Sequence, residues 1–405
     1  MYMFSENKAE DLEIKKKLLE NTISRNIQIV FTDTKSILPN ENIVFDSLEL
    51  TNSICDDSTL RFGGCISSQL TFSTINFKEQ LVGREIKVYI KQSYLDNVYP
   101  SKDLYPSGEL YPCKVVDKSA CIFTGTIDSA KRQQNKTIKE VTAYDNFYLA
   151  GKINIYTWFF GFATYSPNVT IKDLKECVID MCEEKGLTVD SNFYGSEDDK
   201  KLSLSATIVK EVYNGKLTVL NLLQDLCECS AKFAFCDGEG SIKFKKLPQE
   251  NDVTDVYTVG YYTDLNFEDY TVAKITKARF KYNKDKTYTE NIVTTSGKQN
   301  YYDGDNKFIS CNTEKTLVSK FIRPSGAVYG GWMFYEYRPF SVNLFDRWWL
   351  EPGDTIQLNT GVEDTPTITS TIFNRTLSGT VGITVQVSTE SSEYQGDDDK
   401  QWATT

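Results

Sequence analysis

The sequence predicts a mainly β protein with an α+β insertion: two barrel-like β units flanking a small α+β unit. Three observations carry this. Apolar residues fall on every second position through most of the chain, with turn residues roughly every 8–12 positions. A strand pattern appears twice, about 270 residues apart: Leu81-Val-Gly83-Arg-Glu-Ile86-Lys-Val88, Thr124-Gly-Thr126-Ile127 and Thr137-Ile138-Lys-Glu-Val141, against Leu350-Glu-Pro-Gly353-Asp-Thr-Ile356-Gln-Leu358, Thr369-Ser-Thr371-Ile372 and Thr380-Val381-Gly-Ile383-Thr-Val385. Between the copies the period changes from two to that of a helix. The units are placed at 25–150 and 266–390, with the α+β unit at 151–265, an N-terminal helix in 1–24 and an acidic tail at 391–405.

Each element has its own signal. Residues 5–22 read as a mixed-charge helix opened by Ser5, with Ala9, Leu12, Leu18 and Leu19 as its apolar residues. From Arg25, Ile27, Ile29 and Phe31 alternate with polar residues, and Ile43 to Phe45, Leu48 to Leu50 and Leu70 to Phe77 continue as short strands. Between Tyr89 and Phe123, three echoes (Val98-Tyr-Pro100, Leu104-Tyr-Pro106 and Leu110-Tyr-Pro112) mark a projecting loop, because proline removes ladder donors. It reads equally as a contact surface or a solvated excursion. Lys172–Gly186 is a helix capped by Thr170 and stopped at Gly186, and Lys216–Ala231 is a second, with Leu217, Leu220, Leu223 and Cys227 on one face. Phe233 to Phe244 is a hairpin around Asp237-Gly238.

Composition bounds the function. With 40% hydrophobic and 13% aromatic residues the chain can build packed cores. Lys+Arg number 45 against 56 Asp+Glu, and the one dense basic run is Lys15-Lys16-Lys17, so stable nucleic-acid binding is disfavoured. The absence of histidine removes Ser-His-Asp, Cys-His and histidine-ligated zinc chemistry. None of the ten cysteines stands in C-x₂-C spacing, and the N-terminus lacks the apolar core of a secretion signal. Reduced, partly buried thiols in a chain that folds in cytoplasm follow. The longest apolar stretch, Ile155 to Tyr165, is far short of the roughly 20 residues a membrane span needs, so a soluble protein is expected.

Three groups of residues invite a site. Asp56-Asp57 and Glu197-Asp198-Asp199 read as solvated turn acids. Asp303-Gly-Asp305-Asn306 resembles the start of a calcium loop, but the rest of that motif and its terminal Glu are missing. The aromatic run Trp332-Met-Phe334-Tyr-Glu-Tyr337 with Trp348-Trp349 reads as core or subunit contact rather than a saccharide platform. The sequence therefore assigns no catalytic, cofactor-binding or metal-ligating residue.

The string Leu60-Arg-Phe62-Gly63-Gly-Cys65-Ile-Ser-Ser68-Gln-Leu-Thr71-Phe72 resembles a segment of the tail hub proteins of phages infecting Gram-positive bacteria. Ser24-Arg25, Leu81 to Ile86, Val141-Thr-Ala143-Tyr144-Asp145, Leu226-Cys-Glu228 to Phe244, Glu268-Asp-Tyr270-Thr-Val272 and Leu350 to Asp354 are similar to that family in the same order. The resemblance implies two tube-protein-like β-barrels per chain, in a homotrimeric ring that offers six barrels to a hexameric tail tube. It implies a virion structural protein of the tail tip, assembled in host cytoplasm, without enzymatic activity or cofactor. Its partners would be the tail tube or distal tail ring, the tape-measure protein, and a spike or receptor-binding protein, with DNA only as passing cargo. Two other readings stay open: a carbohydrate-binding or cell-wall-degrading tail protein, and the hub of a phage-derived contractile bacteriocin. The Tyr-Pro-rich insert is longer than the family pattern, and no fused fibre or peptidoglycan-cleaving domain follows the second unit.

Overall fold

A computed structural model describes residues 2–55, 63–96, 114–132, 137–156, 158, 161, 168–190, 203–205, 217–229, 232–246, 253–272, 276–283, 286–291, 301–304, 306–310, 337–380 and 382–389. The Tyr-Pro echoes, Asp56-Asp57, the 197–199 acids, Trp332 to Glu336 and the 391–405 tail lie outside them.

Helix α1 (Lys8–Glu20) begins at Asn7, not at Ser5: the Asn7 side chain accepts the Ala9 N–H, while Ser5 donates its hydroxyl to Glu10. The buried face is Asp11, Ile14, Lys15 and Leu18, whereas Leu12 is exposed. Asp11 and Lys15 pair one turn apart inside that face, a mixed-charge arrangement that hides the helix's packing side from an apolar-periodicity reading.

Six strands follow: β1 (Thr22–Phe31), β2 (Glu49–Ser53), β3 (Gln69–Ile75), β4 (Glu85–Leu95), β5 (Val115–Arg132) and β6 (Ile138–Asp145). They lie side by side in the order β1-β4-β5-β6-β3-β2. Their alternating apolar residues face one core, as in β4, where Ile86, Val88 and Ile90 are buried and Lys87, Tyr89 and Lys91 are not.

The middle unit holds α2 (Asn146–Ala150), β7 (Asn168–Thr170), α3 (Ile171–Glu183), β8 (Ser203–Ser205), α4 (Val219–Cys229), β9 (Lys232–Cys236) and β10 (Ile242–Lys246). Thr170 and Asp173 form a reciprocal capping box on α3, and Gly186 at φ +74° ends it. The β9–β10 hairpin turns through 237–241, with Gly240, not Gly238, taking the positive φ.

The second β unit uses β11 (Asp255–Tyr257), β12 (Tyr262–Phe267), β16 (Phe340–Phe345), β17 (Thr355–Asn359), β18 (Thr367–Thr371), β19 (Asn374–Ser378) and β20 (Thr384–Thr389); β13 (Lys277–Tyr282), β14 (Lys286–Asn291), β15 (Tyr301–Gly304) and α5 (Lys307–Ser310) interrupt it. It therefore starts before residue 266, because β11 pairs with β17 and β12 with β16. The interrupting segment belongs to the middle core: Ala278, Phe280 and Tyr302 pack with Leu222, Leu226 and Phe233. The middle unit is thus assembled from two separated stretches of chain.

The two β units follow one plan. In chain order β1 to β6 correspond to β11, β12, β16, β17, the bent pair β18–β19, and β20. Glu85 and Ile86 face Thr126 and Gly125, as Thr355 and Ile356 face Thr371 and Ser370. Gly83 and Gly353 share a φ of +85°. Each donates its N–H at 2.8 Å to the carbonyl of the equivalent isoleucine, Ile127 or Ile372. Those isoleucines return their N–H groups to Arg84 and Asp354 at 2.9 and 2.8 Å. The units differ at one edge, where β1 runs antiparallel to β4 but β11 runs parallel to β17. β2 pairs with β19, so the two units fuse into one ten-strand sheet, β1-β4-β5-β6-β3-β2-β19-β20-β16-β12, over a shared core.

Candidate functional site

The sites that matter here are the seams between units and the edges left at the ends. At the β2–β19 seam, Arg375 is buried and donates to Asn52 Oδ1 at 2.6 and 3.1 Å, to the Leu350 carbonyl at 2.5 Å and to the Trp348 carbonyl at 3.2 Å. The Asn52 amide in turn donates to Ser68 Oγ at 2.7 Å. One guanidinium therefore ties a strand of the first unit to the turn that opens β17. Burial presses the Arg375 pKa down, and the Glu351 and Asp354 charges oppose it.

A second seam joins the middle unit to the second β unit. Lys245 on β10 donates to Glu351, Asp354 and the Pro352 carbonyl at 3.3, 3.2 and 3.1 Å. Burial works to raise the Glu351 carboxyl, but positive charges, Lys245 foremost and Arg375 among them, hold it down at about 2. Lys245 is shifted upward: burial opposes its charge, and Asp354 and Glu351 more than offset that.

Glycines make the remaining seams close. A Cβ on Gly64 would lie 1.8 Å from the Ile54 carbonyl oxygen, and one on Gly63, whose φ is +81°, would lie 2.4 Å from the Gln224 carbonyl oxygen. The Gly-Gly-Cys stretch thus threads between the first unit and the middle unit, with Gly63 N–H bonded to Lys232 and Ala234 N–H to Gly64. The hairpin tip meets β5 in the same way: the Gly238 carbonyl accepts from Thr124 Oγ1 at 2.7 Å, and a Cβ there would lie 1.9 Å from the Cys121 oxygen. Asp145 caps α2 through the Phe147 N–H and also accepts from Ser67 and Ser68. Burial raises its pKa against those three donors.

The chemistry-bearing candidates resolve differently. Trp348 and Trp349 are 2% and 1% exposed, so they form no saccharide platform. They build a core with Tyr2 and Phe4, ring centroids 5.5–5.8 Å apart at Trp348, and Trp348 Nε1 donates to Gln92 at 3.1 Å. Asp303 is engaged by Arg279, Gly304 lies against the Phe280 ring, and Asn306 donates to the Asp225 carbonyl at 2.8 Å, so Asp303 and Gly304 end β15 and Asn306 precedes α5, while Asp305 lies outside the described residues. Among the described residues no group of three or more His, Cys, Asp or Glu side chains is placed to hold a metal, and no helix is long and apolar enough to cross a membrane. Of the seven cysteines whose side chains are described, six are buried and none is in a disulfide; burial pushes the Cys182 thiol up to about 12. A cleft of about 30 Å³ lies among Asn52, Ser68, Cys121, Trp348, Glu351 and Arg375, room for a water molecule rather than a substrate.

A solved tail protein from Neisseria meningitidis MC58 matches 90% of this chain and 96% of its own length, at a TM-score of 0.50 and 8% identity. The chain has the fold of a tail protein. The 43 kDa tail protein of prophage MuSo2 from Shewanella oneidensis aligns with 90% of this chain and 96% of its own, at TM-score 0.48 and 10% identity. Prophage tail protein gp18 from Listeria monocytogenes EGD-e aligns with 91% and 95%, at 0.45 and 10%. No protein-family model matches the sequence, and none of the curated proteins does. The likeness shows a tail-protein fold and does not itself mark a Gram-positive host.

Two functional features escaped the sequence reading. Arg375 carried no signal, since a lone arginine in an alternating strand reads as solvent-facing. The β2–β19 pairing joins residues more than 300 positions apart, and no local pattern reports such a pairing.

Proposed function

We propose that this chain is the hub of a tail tip: a homotrimeric, non-enzymatic adaptor that joins a sixfold tail tube to a threefold spike or receptor-binding assembly. The carrying observation is the repetition of one six-strand plan, in one order and with the same hairpin register, twice in one chain. Three copies then present six like units to a hexameric ring, which is how a threefold object meets a sixfold one without a separate adaptor. The tail-protein fold supports this reading. So does a sequence without histidine.

The tube or distal tail ring lies on one face of this ring, the spike on the other, and the tape-measure protein and DNA pass through. At −11 per chain, three copies carry about −33, and an acidic lumen lets phosphate slide rather than stick. The same role serves a phage tail or a phage-derived contractile bacteriocin. A glycan-binding reading loses Trp348 and Trp349, which are core residues. Light scattering on the purified full-length chain tests the hub reading. It predicts a three-chain species that persists on dilution to micromolar concentration, and a strict monomer at every concentration contradicts it.

A further inference from the structure

The pairing that fuses the two β units inside the chain leaves an unfilled counterpart on each unit. In the second unit, the strand equivalent to β2 is β12. Leu50 faces Leu70 as Phe267 faces Phe340, and Leu70 and Phe340 are equivalent because they face Ala143 and Thr389 on the matching strands β6 and β20. β12 is an end strand of the sheet, and a cleft of about 260 Å³ opens beside Asn266, Phe267 and Glu268. In the first unit, the stretch equivalent to β19 is the end of β5: Ser129 faces Thr142 as Asn374 faces Ser388. β4 reaches along β5 only as far as Thr126, so among the described residues no strand covers the β4-side edge of β5 at 129–132.

Laying the β2–β19 register on these two edges makes a specific pairing. Leu50 faces Leu377, Thr51 faces Thr376 and Asn52 faces Arg375. The equivalents place Phe267 opposite Arg132, Glu268 opposite Lys131, and Asp269 opposite Ala130. Glu268, Asp269, Lys131 and Arg132 are all exposed. Glu268 therefore meets Lys131 directly, and Asp269 and Arg132 stand diagonally across the same ladder, although nothing in the register derivation used charge. Within one chain six strands lie between β12 and β5, so the edge that β12 meets belongs to another copy.

We propose that copies of this chain join by antiparallel strand addition, residues 266–269 of one onto residues 129–132 of the next, in the register that β2 takes on β19. This deepens the hub reading and rests on it. Each copy gives one edge and receives one, a head-to-tail contact that closes into a ring when the same step repeats. Every junction of the ring, within chains and between them, is then the same junction. The exposed edges that a single copy carries are covered on assembly, and the opposite charges steer the copies into register.

The test is a charge swap read by light scattering on the full-length chain across a range of concentrations. The variants are E268K/D269K, K131E/R132E, and the chain carrying all four changes. Wild type is expected to give the three-chain species. Each double variant should need at least ~10-fold more protein for half-assembly, because like charges then face each other across the seam. The fourfold variant should assemble as wild type does. Circular dichroism and melting of each variant report that these surface changes leave the fold intact. A trimeric wild type whose double variants assemble unchanged overturns the strand-addition inference while leaving the hub reading standing. Weakening that the fourfold variant fails to repair overturns it too. A wild type that stays monomeric at every concentration removes the hub reading, and the inference with it.

Discussion

Replacing Arg375 with methionine should cost the folded chain about 3–5 kcal/mol. The guanidinium bridges Asn52 of the first β unit and the Trp348 and Leu350 carbonyls of the second. Methionine keeps most of the stem's apolar contact and supplies no donor. Three acceptors then lose their partner, and an unpaired buried polar group costs about 1–3 kcal/mol. Straight addition overstates the loss, since Asn52 keeps its bond to Ser68 and the burial of a cation is relieved. Against that, Glu351 loses one of the positive charges that compensate it. The assay is urea unfolding at pH 7 followed by tryptophan fluorescence, which Trp348 beside the site should report. Asn52→Ala and the double variant complete a cycle, and contacting partners of this kind should couple by about 1 kcal/mol or more. A loss under about 1 kcal/mol for Arg375→Met, with no coupling to Asn52, would refute the claim that this seam holds the two units together.

Two further outcomes follow from the other seams. Gly238→Ala drives a Cβ into the Cys121 backbone, which has no flexible end to yield. The hairpin tip should lift from β5, lowering the melting temperature by several degrees and exposing 237–241 to proteolysis, while unchanged melting would contradict the close approach. For Glu351, held at about 2 against an ordinary 4.5, the stabilisation is present above 4.5 and is lost as pH falls toward 2. Lys245→Met removes the largest opposing charge and lets burial raise that carboxyl. The stability lost in this variant should therefore be largest at neutral pH and shrink as pH falls from 4.5 toward 2, and a deficit that stays constant across that window would refute the pairing.

The strands were legible because each buries alternate side chains, as β4 does with Ile86, Val88 and Ile90. The duplication was legible because Gly83 and Gly353 need the same left-handed backbone before equivalent strands. Its third strand was matched out of place: the ladder aligns Val141 with Val387, two residues beyond the Val385 that ends the second string. A slip of two keeps every side chain on its own face, so alternation cannot detect it. β11 escaped because three residues are too few to show a period. The split of the middle unit escaped because Phe280 and Tyr302 look like any strand residues until their partners on α4 are known; the Tyr302 hydroxyl donates to Glu228 at 2.6 Å. The polar seams stayed hidden for the same reason, since Arg375, Lys245 and Glu351 are partners only once β2 and β10 have been brought to them.

The central claim is that one chain supplies two equivalent β units to one ring. End-on electron-microscope class averages of the assembled particle test it most directly. The account predicts six β lobes at one radius in a particle of about 138 kDa, three times the chain's 46.1 kDa. Three lobes at that mass, with the second unit off the ring, would contradict it.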